Sequence, residues 1–412
     1  MDLTLKTMKQ LLDFASSPYG IISMIVSLYV FGITLWNLVY KLRIPKQTAV
    51  TEGPLVSVCI PARDEEQNIE ECLDSLLKQS YKNIEILVYD DGSSDGTWGI
   101  LRSYAEQYAR VRVFRGTEKP SGWKGKSYAL QQCTVQAGGS ILYTTDADTI
   151  HSPEAVAWAV ERLEQRNIDA FTAMPRQRTS TFGEKLVVPM VYLPAFLAPF
   201  ALLNKQRLKA AVFGIGQLFV FRAKAFRAVG GMRTVRKNIT DDVAMGRVLR
   251  KAGYRYEFLD ARGHVECRMY GNFKDSVRGF LKNFYEIVSA APYLIVSSLL
   301  IGIFGLFVIP PVFAALNAAP SGVFTAAGAG GFASVVALGT VFLLPALLFT
   351  VSWGINLAYY RTPLYMAPLY PVFFIVIAVM LCISFVQVRT GREPVWKTRV
   401  VGASSASVPK LS

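Results

Sequence analysis

Residues 55–61, LVSVCIP, form an apolar, β-branched run ended by proline, and Ile69, Cys72, Leu73, Leu76 and Leu77 follow at helical spacing. The pattern predicts a strand and then a helix. It repeats. IEILVYDD carries a second strand to Asp90-Asp91-Gly92, and Ser94-Asp95-Gly96-Thr97 offers caps for a second helix. VRVFRG, a helix from about Lys126 to Gln136 and the strand SILYTTDAD continue the alternation. In NITDDVAMGRVLRKAGYRYEFL, residues 238–259, apolar Val243, Met245, Val248 and Leu249 predict an amphipathic helix closed by Gly253, with Asp241 and Asp242 at its start. Strands and helices alternating at this length build a mostly parallel sheet covered on both faces, and such sheets bind ligands at the carboxyl ends of their strands. Asp90-Asp91 and Asp146-Ala147-Asp148 both fall at such ends.

Outside this region the periodicity gives way to unbroken apolar runs. Ile21 to Tyr40 carries no charge, and from Ala291 to Val388 the only charged residue is Arg361. These runs read as transmembrane helices. The expected layout is an N-terminal anchor over 1–48 with its span at about 20–41, a polar domain over 49–290, membrane helices within 291–390 and a basic tail over 391–412. Candidate C-terminal spans are about 293–316, 331–357 and 365–388. Lys41 and Arg43 follow the first run in place of a small-residue cleavage site, so it is expected to stay as an anchor with the polar domain on the cytosolic side. Segment 186–204, LVVPMVYLPAFLAPFALLN, is long enough to span, but a crossing there would separate Asp146 and Asp148 from Asp242. The expectation is a proline-broken interfacial or re-entrant segment, against a buried pair of core helices.

The net charge of +14 accompanies no nucleic-acid-reading motif, so anionic headgroups and phosphate-bearing substrates explain it better. Five cysteines, Cys59, Cys72, Cys133, Cys267 and Cys382, form no CxxC pair and read as reduced thiols. Neither GxGxxG nor GxxxxGK[ST] follows the first strand, which removes the commonest phosphate-cradling loops.

Two aspartates one residue apart repel each other unless a cation lies beside them. Mg²⁺ or Mn²⁺, taking one or two carboxylates and filling its shell with water and phosphate oxygens, suits Asp146 and Asp148. Alone, a DxD is more often a solvated turn and cap. Asp90 and Asp91 in YDDGSSDGT suit hydrogen bonds to a nucleoside, beside a glycine that admits close backbone approach. Of Asp241 and Asp242, one suffices to favour the helix start and the other is a candidate general base.

The ordered motifs VSVCIPARDEE, VYDDGSSDGT, PSGWKGKSYAL, TTDAD, GIGQLFVFRAKAFRAVGGM and ITDDVAMGRVLRKAGYR resemble the family 2 glycosyltransferases of A-type fold. The membrane-anchored bacterial members, including diaponeurosporenoate (carotenoid) and hopanoid-associated glycosyltransferases, are the nearer likeness. The resemblance implies that Asp91 and Asp90 hold a nucleoside with Pro61, Ala62 and Glu65, and that Lys126 approaches the nucleotide or its diphosphate. It implies that Asp146 and Asp148 bind the metal, Asp148 more directly, and that Gly214, Gly216 and Gln217 line the sugar and acceptor pocket. Asp242 takes the place of the base, and Asp241 that of the family's preceding Glu. The Gln-X-X-Arg-Trp motif of processive members has no match in MYGNFKDSVRGFLKNFYE, so transfer of a single sugar is implied, with Arg268, Arg278 or Lys282 left to steady the leaving diphosphate. The expected activity is inverting, metal-dependent transfer, with UDP-glucose as favoured donor, to a hydroxyl or carboxyl of a carotenoid or other terpenoid lipid in the bacterial cytoplasmic membrane. Glycerolipid or ceramide-type acceptors stand second, and a nucleotidyltransferase or a non-catalytic scaffold further behind.

Overall fold

The computed structural model describes residues 18–42, 51–116, 119–206, 212–238, 240–290, 293, 344–392, 395–396 and 399–400. They fall into two compact units.

The first unit takes in Tyr40–Ser180 and Phe200–Asn283. Its strands are β1 (Val56–Ala62), β2 (Ile84–Asp90), β3 (Val111–Arg115), β4 (Ile141–Thr145), β5 (Thr149–His151), β6 (Ala170–Met174), β7 (Arg176–Gln177), β8 (Leu218–Arg222), β9 (Tyr256–Asp260) and β10 (Val265–Cys267). Seven build one sheet in the order β3-β2-β1-β4-β8-β6-β9. β1 pairs in parallel with β2 and β4, β2 with β3, and β6 with β9. β8 runs antiparallel to both β4 and β6, so the sheet is mixed but mostly parallel. A smaller sheet, β5-β10-β7, follows directly after the β4 end.

The strands read as continuous apolar runs because both faces are covered. On β1, Val56, Val58 and Ile60 enter one core, with Ile69, Leu73 and Leu76 of the Ile69–Leu77 helix; Cys59 enters the other, with Ala129, Leu130 and Cys133 of the Gly125–Gln136 helix. The predicted helices lie within a residue or two of their expected positions. Asp95 accepts from the Thr97 amide at 3.0 Å at the start of the Thr97–Gln107 helix, and Gly253 follows the Asp241–Lys251 helix at φ +88°.

The second unit combines Thr181–Pro199 with the described parts of Met1–Val39 and Phe284–Arg392. Two helices here, Ile21–Lys41 and Leu364–Thr390, are long and apolar enough to cross a membrane by length and composition; Leu344–Tyr359 is apolar but shorter. Among the described residues that is fewer than the flanking set expected. The expected span 293–316 and the first part of 331–357 lie outside the described residues, Tyr293 apart. Large apolar side chains stand exposed along the long helices, Ile25, Trp36, Val372 and Val379 among them.

The proline-rich segment is broken into Phe182–Val187, a 3₁₀ turn Val188–Tyr192 and Leu193–Leu197, with prolines in the first turns of the last two. Carbonyls freed at its end are met by a side chain from far away in sequence: Asn37 Nδ2 donates to Ala195 O at 2.7 Å and Ala198 O at 3.0 Å. Tyr192 stacks on Tyr360 at 3.8 Å, and Phe196 packs edge-on against Phe349 and Trp353.

Candidate active site

The carboxyl ends of β1, β2 and β4 and the start of the Asp241–Lys251 helix supply the candidate residues. At β4 the chain leaves the sheet at Thr145, turns through Asp146-Ala147-Asp148 and enters β5. Lys126, in the first turn of the Gly125–Gln136 helix, places its ammonium 2.5 Å from Asp146 Oδ1. The next residue, Ser127, donates from its hydroxyl to Asp241 Oδ2 at 2.6 Å. One helix start therefore reaches two acidic groups that lie almost a hundred residues apart.

The segment before β8 is shaped to fit against them. Gly214 lies so close to the start of the Asp241–Lys251 helix that a Cβ there would stand 2.4–2.6 Å from the backbone of Asp242 and Val243, contacts no flexible side chain can relieve. A Cβ at Gly216 would meet Lys126 Nζ at 2.8 Å and lie 3.7 Å from Asp242 Oδ2. Asp242 accepts from the Val243 amide at 2.8 Å and from the Gly216 amide. Between the glycines, the Ile215 carbonyl accepts from Thr172 Oγ1 at 2.7 Å. Gln217 is buried, its side chain accepting from Gln177 Nε2 at 2.8 Å and its carbonyl from Thr145 Oγ1 at 2.8 Å.

Burial disfavours these charges, and their neighbours decide the outcome. Burial and then the Asp241 carboxylate push Asp242 up to about 7, against the opposing pull of Lys126. Burial, then Asp146 and Glu65, push Asp148 up to about 7. Asp241 is raised by burial, with Lys126 and the Ser127 hydroxyl opposing. Burial alone would lower the Lys126 ammonium, but Asp146, Asp241 and Asp242 hold it well above the ordinary lysine value.

A divalent cation fits this chemistry. Asp148 Oδ1 is buried without a hydrogen-bond partner, while the neutral Cys267 thiol hydrogen-bonds the Asp148 carboxyl group. No group of three or more His, Cys, Asp or Glu residues forms a ready cage among the described residues. Mg²⁺ or Mn²⁺ needs only one or two protein carboxylates when phosphate and water complete its shell.

The β2 end is arranged differently. Asp90 is fully buried, and its Oδ1 accepts from the Ser93 amide at 3.0 Å and from the Ser93 hydroxyl. The Asp91 amide donates to the Ala62 carbonyl at 2.8 Å, and Arg63 Nη1 lies 2.8 Å from Asp91 O and 3.6 Å from its carboxylate. Pro61 and Ala62 pair with Tyr89 and Asp90 across the sheet. Glu65 accepts from Asn68 Nδ2 at 2.9 Å and adds its charge to the surroundings of Asp148.

Arg63 and Ser127 were not expected; neither carries a signal that periodicity or spacing exposes. Of the three basic residues left open, Arg268 and Arg278 are exposed. Lys282 feels Lys126, Asp241, Asp146 and Asp242, and burial followed by Lys126 lowers its pKa.

The model of the family described as Glycosyl transferase family 2 matches residues 57–230. The putative glycosyltransferase EpsE of Bacillus subtilis (strain 168) is 28% identical over 191 residues, which cover 46% of this chain and 63% of that protein. The 4,4'-diaponeurosporenoate glycosyltransferase of Staphylococcus haemolyticus (strain JCSC1435) is 26% identical over 262 residues, 61% of this chain and 67% of that one. EpsE is thus matched over less than two thirds of its own length. The structure of the mannosyltransferase PcManGT from Pyrobaculum calidifontis, in complex with GDP-Man and Mn²⁺, aligns with a TM-score of 0.50 at 20% identity, covering 91% of this chain and 100% of that one. That likeness is one of fold.

Proposed function

We propose, from the premise that residues 57–230 are a family 2 glycosyltransferase domain, that the protein transfers one sugar from a nucleotide-sugar donor to a hydroxyl or carboxyl group of a membrane lipid, inverting the anomeric centre. One observation carries the reading. Asp242, its pKa pushed up to about 7, shares a half-buried cluster with Lys126 and, through that lysine, with Asp146 after β4.

Asp91, backed by Asp90 and by Pro61, Ala62 and Glu65 at the β1 end, holds the nucleoside. Lys126 turns from Asp146 toward the donor diphosphate, where its ammonium stabilises charge as it builds on the leaving group. Lys282 adds a second positive charge on the same side. Asp148 and Asp146 would hold Mg²⁺ or Mn²⁺, which when bound neutralises part of the diphosphate charge. Asp242 accepts the proton of the acceptor as its oxygen attacks the anomeric carbon from the face opposite the diphosphate, giving the β product. A base with pKa near 7 is matched to this work at neutral pH. Asp241, fixed by Ser127, keeps that pKa high through its own charge. Gly216 leaves space for the Lys126 ammonium, and Gln217 anchors the pocket wall.

The donor in this reading is UDP-glucose and the acceptor a carotenoid or other terpenoid lipid, the acceptor class supported by the diaponeurosporenoate glycosyltransferase among the relatives. The domain of residues 49–290 faces the cytosol, and segment 186–204 lies at the bilayer surface as the acceptor's approach. Radiolabelled-sugar transfer from UDP-glucose into total membrane lipid, with Mg²⁺ or Mn²⁺, tests the reading. Labelled lipid from the wild type that disappears in Asp242→Asn supports it, and the labelled species names the acceptor. Absence of labelled lipid from every common nucleotide sugar, with the protein folded in native membranes, overturns it.

A further inference from the structure

Beneath the turn that carries Asp146 and Asp148 runs a line of buried side chains that the mechanism above does not use. Tyr143 and Thr145 lie on β4, Thr149 and His151 on β5, and all four are at most 4% exposed. Thr149 Oγ1 is 2.6 Å from the Asp146 carbonyl oxygen, and Thr145 Oγ1 is 2.8 Å from that of Gln217. A carbonyl can only accept, so each threonine commits its single hydroxyl proton there. The two hydroxyl oxygens then face each other at 2.8 Å with no proton between them. His151 Nε2 lies 3.0 Å from Thr149 Oγ1 and 3.4 Å from Thr145 Oγ1. Only a proton on that nitrogen reconciles the two oxygens, so Nε2 carries the hydrogen. Nδ1 is then the acceptor, and it meets the Tyr143 hydroxyl at 3.0 Å. The ring is kept neutral by its burial, and the Tyr143 phenol is likewise un-ionised, burial raising its pKa well above the ordinary value. The His151 backbone amide is fixed separately, donating to Ser75 Oγ at 3.0 Å.

We propose that His151 is a positioning residue for the metal-binding turn: as its Nε2–H tautomer it completes a one-way hydrogen-bond chain, Tyr143 O–H to His151 to Thr149 to the Asp146 carbonyl, that sets the placement of Asp146 and Asp148. The chain has one direction because every hydroxyl proton in it is committed. Turning the Thr149 hydroxyl round to His151 would take the hydroxyl donor from the Asp146 carbonyl and leave it only the weak, 3.8 Å contact of the Cys72 thiol. The metal part of this inference rests on the functional reading above; the tautomer does not.

Two measurements on the purified full-length protein, any histidine tag removed, test it. The chain contains two histidines, so selective ¹⁵N-histidine labelling gives two imidazoles, and His264→Gln assigns them. The expected spectrum shows His151 as the neutral Nε2–H form at pH 7. An Nδ1–H tautomer or an imidazolium overturns the proposal. The second measurement is Mn²⁺ binding followed by the electron paramagnetic resonance of the free ion, which needs no turnover. His151→Phe, which keeps a ring but no nitrogen, and Thr149→Val, which removes the link to Asp146, should each weaken Mn²⁺ binding about tenfold or more, as loss of outer-shell support does at other metal sites. His151→Gln, which restores an N–H donor near the Nε2 position, should recover most of that loss. Wild-type Mn²⁺ affinity in folded Thr149→Val overturns the positioning role. So does equal weakening in His151→Phe and His151→Gln, which marks a packing defect. A wild type that binds no Mn²⁺ refutes the metal reading instead, and the tautomer then decides the hydrogen-bond chain by itself.

Discussion

Strands β2 and β4 both end in aspartates, but their carboxylates meet different partners. After β2, Asp90 turns inward to the Ser93 amide and hydroxyl, and Arg63 approaches Asp91. These partners lie nearby along the chain or on the adjoining strand. After β4, Asp146 meets Lys126, and Asp148 has a buried oxygen with no partner and a pKa raised by burial and by other acids. Each end keeps one buried carboxylate oxygen without a hydrogen-bond partner, Asp90 Oδ2 and Asp148 Oδ1; what differs is the surroundings, with Arg63 beside Asp91 at the first and the acids Asp146 and Glu65 beside Asp148 at the second, where an added cation gains most. A strand ending in acid marks a place in the sheet; the sign of the surrounding charge tells what that place can hold.

The sharpest way to break this contrast is at Asp242, the proposed base. Asp242→Asn is expected to lower kcat about a thousandfold with donor KM little changed, as measured by sugar transfer, because a general base contributes on the order of 10²–10⁴. Lys126→Ala should lower kcat about a hundredfold, the scale of one charge-stabilising donor. A smaller loss in Lys126→Ala than in Lys282→Ala would move the diphosphate-facing charge to Lys282, in the Phe273–Ala290 helix. Asp91→Ala, at the β2 end, is expected to raise donor KM about tenfold, about the effect of one charged hydrogen bond, with kcat held.

Asp148 and Asp242 should also leave a mark on the pH response. Asp148 and Asp242 titrate near 7 in the folded chain against an ordinary 3.8, so between those values the folded state binds more protons than the unfolded one. Their contribution to stability therefore declines as pH rises from about 4 to 7. Mn²⁺ competes with protons for such groups, so the rise in melting temperature it causes should be larger at pH 8 than at pH 5.5. Equal shifts at both pH values would show that the ion binds elsewhere. The smallest effect is expected at Asp90→Ala, which leaves the Ser93 amide without its acceptor and costs about 1–3 kcal/mol of stability, seen as a lower melting temperature with kcat nearly unchanged.

Much of this was legible in residue order. Alternating apolar runs located β1, β2, β3 and β4 and their helices because each element is set by local periodicity, and the strand ends placed Asp90, Asp91, Asp146 and Asp148 in one row. The antiparallel insertion of β8 between β4 and β6 was not legible, since pairing direction depends on contacts between residues far apart. Nor were Arg63 and Ser127, ordinary residues whose importance lies in what stands opposite them. Proline spacing showed that segment 186–204 would break; that Asn37 would meet its freed carbonyls required the fold.

The sequence by itself determined the positions of β1 to β4 with the helices beside them and of the Asp241–Lys251 helix, the acids at strand ends and the apolar runs, because backbone propensity and side-chain periodicity act over a few residues. Tertiary structure alone decided which charges meet. Lys126 reaches Asp146, Ser127 reaches Asp241, and Gly214 presses on Asp242 only once the sheet has brought together segments far apart in the chain. Pairwise electrostatics and hydrogen bonding fall off over a few ångströms, and distance in space is the quantity a linear chain does not carry.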